Sequence, residues 1–230
     1  MTALDLPSPD SIKRRAMFAL DLVDPITGRF AGADMAVTLA GFRPPRIASN
    51  GRLVWNDVDP PAPRDLVVRG VSRSGAFAPF ETAWTTPERA PGDDGAGLIH
   101  RITLEPTGLY EPPAGALAAA GMLIGDGVGR APVAGAEIRI ELREAGSAAV
   151  IAGSYQGRTD LRGGFVVVAG DIGLATPAAA SPGPEGGLVG WLRIARGADV
   201  RFSPLLPLRR DRLHRLPAPL VWADLGEDPP

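Results

Sequence analysis

The chain has 230 residues, 45% of them hydrophobic, with 29 Gly and 24 Pro spread along its length, which suits one large β domain or two of about 100 residues each. Lys plus Arg number 24 against 26 Asp plus Glu; the net charge of −2 excludes a general attraction to nucleic acid or anionic lipid. Cysteine is absent, which excludes disulfides, thiolate zinc sites and a cysteine nucleophile, and no stretch approaches the roughly 18 consecutive apolar residues of a membrane span.

At the start of the chain, Pro7, Pro9, Asp10 and the basic run Lys13-Arg14-Arg15 occupy the place where a secretory signal needs an apolar run. A cytoplasmic product is expected, unless it leaves within a larger particle. Ser11 to Met17 is a short helical candidate. Phe18 to Val23 reads as a strand, followed by a turn and the alternating strand within Gly32 to Leu39. Asn50-Gly51 supplies a turn before Leu53 to Trp55, and further apolar segments follow at Leu66 to Gly70, Phe77 to Phe80 and Ile99 to Ile102. Thr85 to Gly97 reads as a long loop. Glu111-Pro112-Pro113-Ala114-Gly115 reads as a stiff extended linker, and Gly115 to Ala120 as a second short helical candidate. Beyond it the same succession recurs: Gly121 to Ile124, Gly135 to Leu142, a Thr159 to Gly164 turn into Phe165 to Val168, a long loop from Thr176 to Gly187, then Trp191 to Gly197, Phe202 to Leu205 and Leu213 to Leu216.

The recurrence is an internal repeat. Gly32-Ala33-Asp34 aligns with Gly135-Ala136-Glu137 at a shift of 103 (135 − 32), Leu66 to Gly70 resembles Trp191 to Gly197, and Ile99-His100-Arg101-Ile102 matches Leu213-His214-Arg215-Leu216. The expected organisation is an extension over 1–13, a first module over 14–108, a proline-rich linker over 109–116, a second module over 117–223 and a tail over 224–230. The fold class is all-β, each module being two packed antiparallel sheets.

Pro132-Val133-Ala134-Gly135-Ala136-Glu137-Ile138, followed by Arg158-Thr159-Asp160-Leu161-Arg162-Gly163-Gly164-Phe165, resembles the carboxypeptidase regulatory-like, or transthyretin-like, β-sandwich domain. The resemblance implies two tandem immunoglobulin-like or prealbumin-like sandwiches. Physically, Gly135 and Ala136 are expected to let the strand enter close to a neighbour, and Asp160 to cap its own turn while Gly163 or Gly164 takes the strained backbone. The wider order is similar to proteins encoded beside contractile, phage-tail-like injection systems. That likeness rests on Phe18, Leu20, Leu22-Val23-Asp24, Thr27-Gly28-Arg29, His100-Arg101-Ile102 and Pro112-Pro113.

Candidate chemistry is sparse. His100 and His214, the only histidines, recur at equivalent repeat positions and read as strand-face residues. Some ring-cleaving dioxygenases with a related sandwich bind ferric iron through two tyrosines and two histidines, and this chain holds Tyr110, Tyr155, His100 and His214. That family's histidines lie two residues apart, whereas these are 114 apart (214 − 100) in different modules, so no metal or other cofactor is expected. Gly125-Asp126-Gly127-Val128-Gly129 lacks the spacing and helix of a phosphate loop, and Gly70-Val71-Ser72-Arg73-Ser74-Gly75 lacks the elbow of a nucleophilic serine.

No catalytic residues emerge. The candidates for partner contact are the arginines Arg209, Arg210, Arg212 and Arg215 and the loop carboxylates Asp93 and Asp94. The expected role is that of a structural or adaptor protein in a larger assembly, working through protein partners with no nucleic-acid binding and no membrane insertion. The alternative is carbohydrate binding through Trp55, Trp84, Trp191 or Trp222, which requires exposed, roughly coplanar rings.

Overall fold

A computed structural model describes residues 15–57, 65–85, 98–143, 150–152, 155–169, 188–210 and 212–230. The first half contributes β1 (Arg15–Val23), β2 (Met35–Leu39), β3 (Arg46–Ile47), β4 (Leu53–Asp57), β5 (Asp65–Ser72), β6 (Phe80–Thr85) and β7 (Ile99–Thr103). The second contributes β8 (Ala118–Ile124), β9 (Glu137–Arg143), β10 (Val150–Ala152), β11 (Gly157–Arg158), β12 (Gly164–Val168), β13 (Leu188–Arg196), β14 (Asp199–Phe202), β15 (Leu206–Leu208), β16 (Leu213–Arg215) and β17 (Leu220–Val221). The chain is all-β: among the described residues the helical element with bounds of its own is one 3-10 turn, Trp222–Asp224.

Four sheets form two tandem sandwiches. In the first, β3-β4-β1-β7 faces β2-β5-β6; in the second, β12-β8-β16 faces β10-β9-β13-β14. The two repeat one plan. β4-β1-β7 corresponds to β12-β8-β16, and β2-β5-β6 to β9-β13-β14. The sheets are not wholly antiparallel as expected: β1 runs parallel to β7, with Leu20 opposite His100, and β8 runs parallel to β16, with Ala119 opposite His214. In each sandwich a strand from the end of the unit crosses over to lie beside the first, and such a crossover delivers it parallel. Register also corrects one repeat match. Ala36 lies opposite Val71 and Arg139 opposite Arg193, so β5 and β13 correspond at a shift of 122 (193 − 71), whereas matching Gly70 to Gly197 gives 127 (197 − 70).

Alternation builds the first sandwich: along β2 and β5 every second side chain is buried, giving Met35, Val37, Leu39, Leu66 and Val68 to the core. Phe18, Leu20, Leu22, Leu53 and Trp55 meet them from the opposite sheet. In the second sandwich Ile138, Ile140, Leu142, Leu192 and Ile194 pack against Ala119, Leu123, Phe165 and Val167.

The sheet of β12, β8 and β16 breaks the alternating rule. Val166, Val167, Val168 and Ala169 are all buried, as are Ala118, Ala119 and Ala120. Ala119, Phe165 and Val167 belong to the second core, whereas Ala120 and Val166, with Leu213 packed against them, belong to the first core beside Phe77, Leu104 and Tyr110. One sheet therefore serves as a wall of both cores.

The two helical candidates are corrected. Residues 11–14 lie outside the described residues, Arg15–Met17 open β1, and Gly115 to Ala120 is a turn, with the Ala116 N–H on the Pro113 carbonyl, running into β8. Alanine favours helix in isolation, but burial on both sheet faces overrides that preference.

The turn after Thr159 forms as its residues require. Asp160 Oδ1 accepts the backbone N–H of Arg162 at 2.8 Å and of Gly164 at 2.9 Å. Gly163 adopts φ +73°, and a Cβ there would lie 2.3 Å from the Leu123 carbonyl oxygen. Gly135 differs from expectation. It has φ +74° with nothing within 4 Å of a Cβ, so it serves backbone conformation and not close approach. Replacing Gly135 by Ala should therefore cost about 1–2 kcal/mol for the left-handed backbone, and Gly163→Ala at least about 3 kcal/mol because a carbonyl clash adds to it. Urea unfolding of the two variants measures the difference; equal losses would contradict it.

Candidate functional site

A buried polar cluster lies where the two sandwiches meet. Asp24 follows directly on the end of β1 and is buried, at 7% exposure. Its Oδ1 accepts the Ile26 N–H at 2.9 Å, and its Oδ2 accepts the Thr27 hydroxyl at 2.7 Å and the buried Tyr110 hydroxyl at 2.8 Å. An Asp followed by Thr-Gly closes a tight turn locally, and this one also anchors a phenol 86 residues away. The Tyr110 ring packs edge-on against Phe77 at 5.5 Å. Two residues earlier, the Gly108 N–H donates to Asp160 Oδ2 at 3.3 Å, and a Cβ on Gly108 would lie 3.2 Å from Gly164 Cα. The turn-capping Asp160 thus also holds the incoming chain.

Tyr155 approaches the same cluster from the second sandwich. Burial pushes both phenol pKa values well above the ordinary tyrosine value, Asp24 adding to each and Glu105 to that of Tyr155. Neutral phenols are thereby favoured, which opposes use of either as a tyrosinate ligand. The histidines do not join them. His100, on β7, stacks on Trp84 at 5.0 Å and 12° and has its pKa lowered by burial; His214, on β16, belongs to the other sandwich. Among the described residues no three His, Cys, Asp or Glu side chains are grouped to hold a metal ion.

Ser72, which ends β5, and Ser74 just after it share a structural partner. Asp34 Oδ2 accepts the Ser72 and Ser74 hydroxyls at 2.5 and 2.9 Å, and its Oδ1 accepts the Ser74 N–H at 3.1 Å. Residues 125–129 form a turn in which Asp126 Oδ1 accepts the Ala223 N–H at 2.6 Å. A groove of about 350 Å³ lies between the start of β6 and the end of β7. Its titratable side chains are Glu81 and Glu105, which with Leu104, Thr103 and Phe80 supply no nucleophile paired to a base.

Of the partner-contact candidates, Arg209 and Arg212 face each other across the turn after β15. Arg209, Arg210 and Arg212 are exposed there, and Arg215 is exposed at the end of β16. Asp93 and Asp94 lie outside the described residues. Trp55, Trp191 and Trp222 are buried, at 5%, 1% and 5% exposure; Trp55 donates its indole N–H to the Arg43 carbonyl at 2.9 Å, and Trp191 to Glu141 at 3.1 Å. Trp84 lies half-buried between Phe18 and His100. The four do not form an exposed coplanar platform. Sequence reasoning missed the Asp24–Tyr110 and Glu141–Trp191 pairs, since nothing local ties residues so far apart.

No family model matches the chain, and no curated protein matches it. Among solved structures it is similar to a Streptococcal ancillary pilin, with 12% identity and a TM-score of 0.28 over 96% of this chain and 64% of that one. It is also similar to the Bacillus anthracis TIE protein, with 10% identity and a TM-score of 0.26 over 90% of this chain and 33% of that one. A third similarity is to the shaft pilin SpaA of Lactobacillus rhamnosus GG, with 11% identity and a TM-score of 0.23 over 76% and 78%. The chain spans less than two thirds of the first two. These likenesses are too distant to carry a function across.

Removing the hydroxyl in Tyr110→Phe leaves Asp24 with one fewer donor and should cost about 1–3 kcal/mol. Because a raised folded-state phenol pKa adds stability below the unfolded tyrosine value of about 10 and loses it above, urea stability should fall as pH rises past about 10. The fall should be shallower in a Tyr110→Phe, Tyr155→Phe double variant; an identical slope would exclude these phenols as its source.

Proposed function

We propose that this chain is a non-catalytic structural or adaptor component acting through protein contacts in a larger assembly. The observation that carries this reading is the joint. Ala120 and Val166 of the second sandwich sit in the core of the first, and the polar groups at the joint, Asp24, Tyr110 and Asp160, are engaged in holding turns and the joint together. Polar groups committed in this way act as fasteners, and a rigid two-unit body suits a part whose work is to hold surfaces in fixed relation.

We assign the units to residues 14–108 and 117–223, joined through 109–116, with 1–13 and 224–230 as extension and tail. The likeness of Pro132–Phe165 to carboxypeptidase regulatory-like domains supports an add-on role for the second unit. The likeness of Phe18 to Arg29 and of the histidine strand to proteins encoded with contractile injection systems supports a tail-like particle as the assembly, loaded from the cytoplasm. The exposed arginines Arg209, Arg210, Arg212 and Arg215 are assigned as the contact with an acidic protein surface, since guanidinium groups pair bidentately with carboxylates.

A tagged chain should co-purify with particles from its native host, and its gene should stand beside sheath, tube and baseplate genes. Reversing Arg209, Arg210 and Arg212 to Glu should weaken that capture at least about tenfold with an unchanged melting temperature. Absence of particles from the purified material, together with a neighbourhood lacking such genes, would overturn the injection-system assignment.

A further inference from the structure

Duplication allows the same face to be compared in two settings. On the outer face of β9 and β13, Arg139 lies directly opposite Arg193 and Glu141 opposite Trp191; Glu141 is bound by Arg139, and the Arg143 guanidinium lies 5.8 Å from the Trp191 ring centroid. The corresponding positions on β2 and β5 hold Ala36 opposite Val71 and Thr38 opposite Arg69. Where the second sandwich carries an arginine pair, the first carries two small apolar residues. Val71 is 57% exposed and Val67 43%, and Ala36, Thr38 and Ala83 are exposed around them. In their midst lies an ion pair, Arg69 Nε to Glu81 Oε2 at 2.9 Å, with both side chains more than half exposed.

We infer that this face of β2-β5-β6 binds a second copy of the same chain. The arrangement of charge selects that occupant. Arg69 and Glu81 sit side by side on adjacent strands, as do Val67 and Ala83 one row away. A two-fold axis along the strands, between β5 and β6, sets Arg69 of each copy over Glu81 of the other and Val67 over Ala83, so on these two strands cation meets carboxylate and apolar residue meets apolar residue, with Ala36 and Thr38 of β2 at the margin. Such a contact is isologous and closes as a dimer. Aligned sheet-on-sheet packing tolerates it because, beside Arg69 and Glu81, which pair across the contact, the exposed side chains Ala36, Thr38, Val67, Val71 and Ala83 are small. The second sandwich cannot do the same, since its facing arginines repel a copy of themselves. The two-copy body then presents its arginine turns in duplicate, which raises avidity for a repetitive partner.

The test is sedimentation equilibrium on the full chain from about 1 to about 100 µM, where an interface of standard size shows itself. The mass should rise toward twice the monomer value. Arg69→Glu alone or Glu81→Arg alone should weaken association at least about tenfold, Val67→Asp likewise, and Arg69→Glu with Glu81→Arg should restore it to within about threefold, because the swap is again self-complementary. The exposed pair adds little to folding, so circular dichroism and melting should change little in the charge variants. A monomer throughout the range overturns the inference, as does association indifferent to the single reversals or a double reversal that fails to restore it. These residues lie on the first unit and the arginine turn on the second, so failure here leaves the proposed function standing.

Discussion

Everything else in the architecture depends on a sheet whose middle is covered on both faces. Residues Val166 to Ala169 and Ala118 to Ala120 are buried without alternation because one face closes the second core and the other completes the first. Burying a valine stabilises by about 1.5–3 kcal/mol, so exposing this layer by parting the sandwiches would cost several such contributions. Hydrogen bonds then fix the geometry that burial makes favourable: Tyr110 onto Asp24 from one side, Gly108 onto Asp160 from the other. Each of these carboxylates also caps its own turn, so a local folding device and a long-range fastener share one side chain. Asp21 on β1 and Arg52, just before β4, add a bidentate pair, with Asp21 almost wholly buried.

That economy of polar groups shapes what the molecule can do. The hydroxyls and carboxylates that look reactive in isolation, Ser72, Ser74, Asp24, Asp160 and Glu141, already donate to or accept from a structural partner. On their outer faces the two sandwiches have diverged: arginines on the second, small apolar residues around one ion pair on the first. Duplication has kept the plan of strands while changing what each copy shows to a partner.

Much of the plan was legible because strands half-buried in a sandwich write their burial into the sequence. Met35 to Leu39 and Leu66 to Val71 alternate, and the Asp160 turn announces itself through Asp, Gly and Gly. Legibility failed where burial or pairing was non-local. The Ala118-Ala119-Ala120 run looked helical because a strand covered on both faces loses its period of two. The parallel pairing of β7 with β1 and of β16 with β8 depends on crossovers that leave no local mark. Tyr110 stood out only as one of two tyrosines; its tie to Asp24 is a property of the joint and not of either segment. The long loops over 85–97 and 176–187 fall almost wholly outside the described residues.

The central claim is that the shared layer makes two sandwiches one cooperative body. Differential scanning calorimetry of the intact chain tests it most directly, because a wall common to both cores cannot melt for one and persist for the other. A single transition whose calorimetric and van't Hoff enthalpies agree is the predicted result. Two resolved transitions, each with the enthalpy of about half the chain, would contradict it.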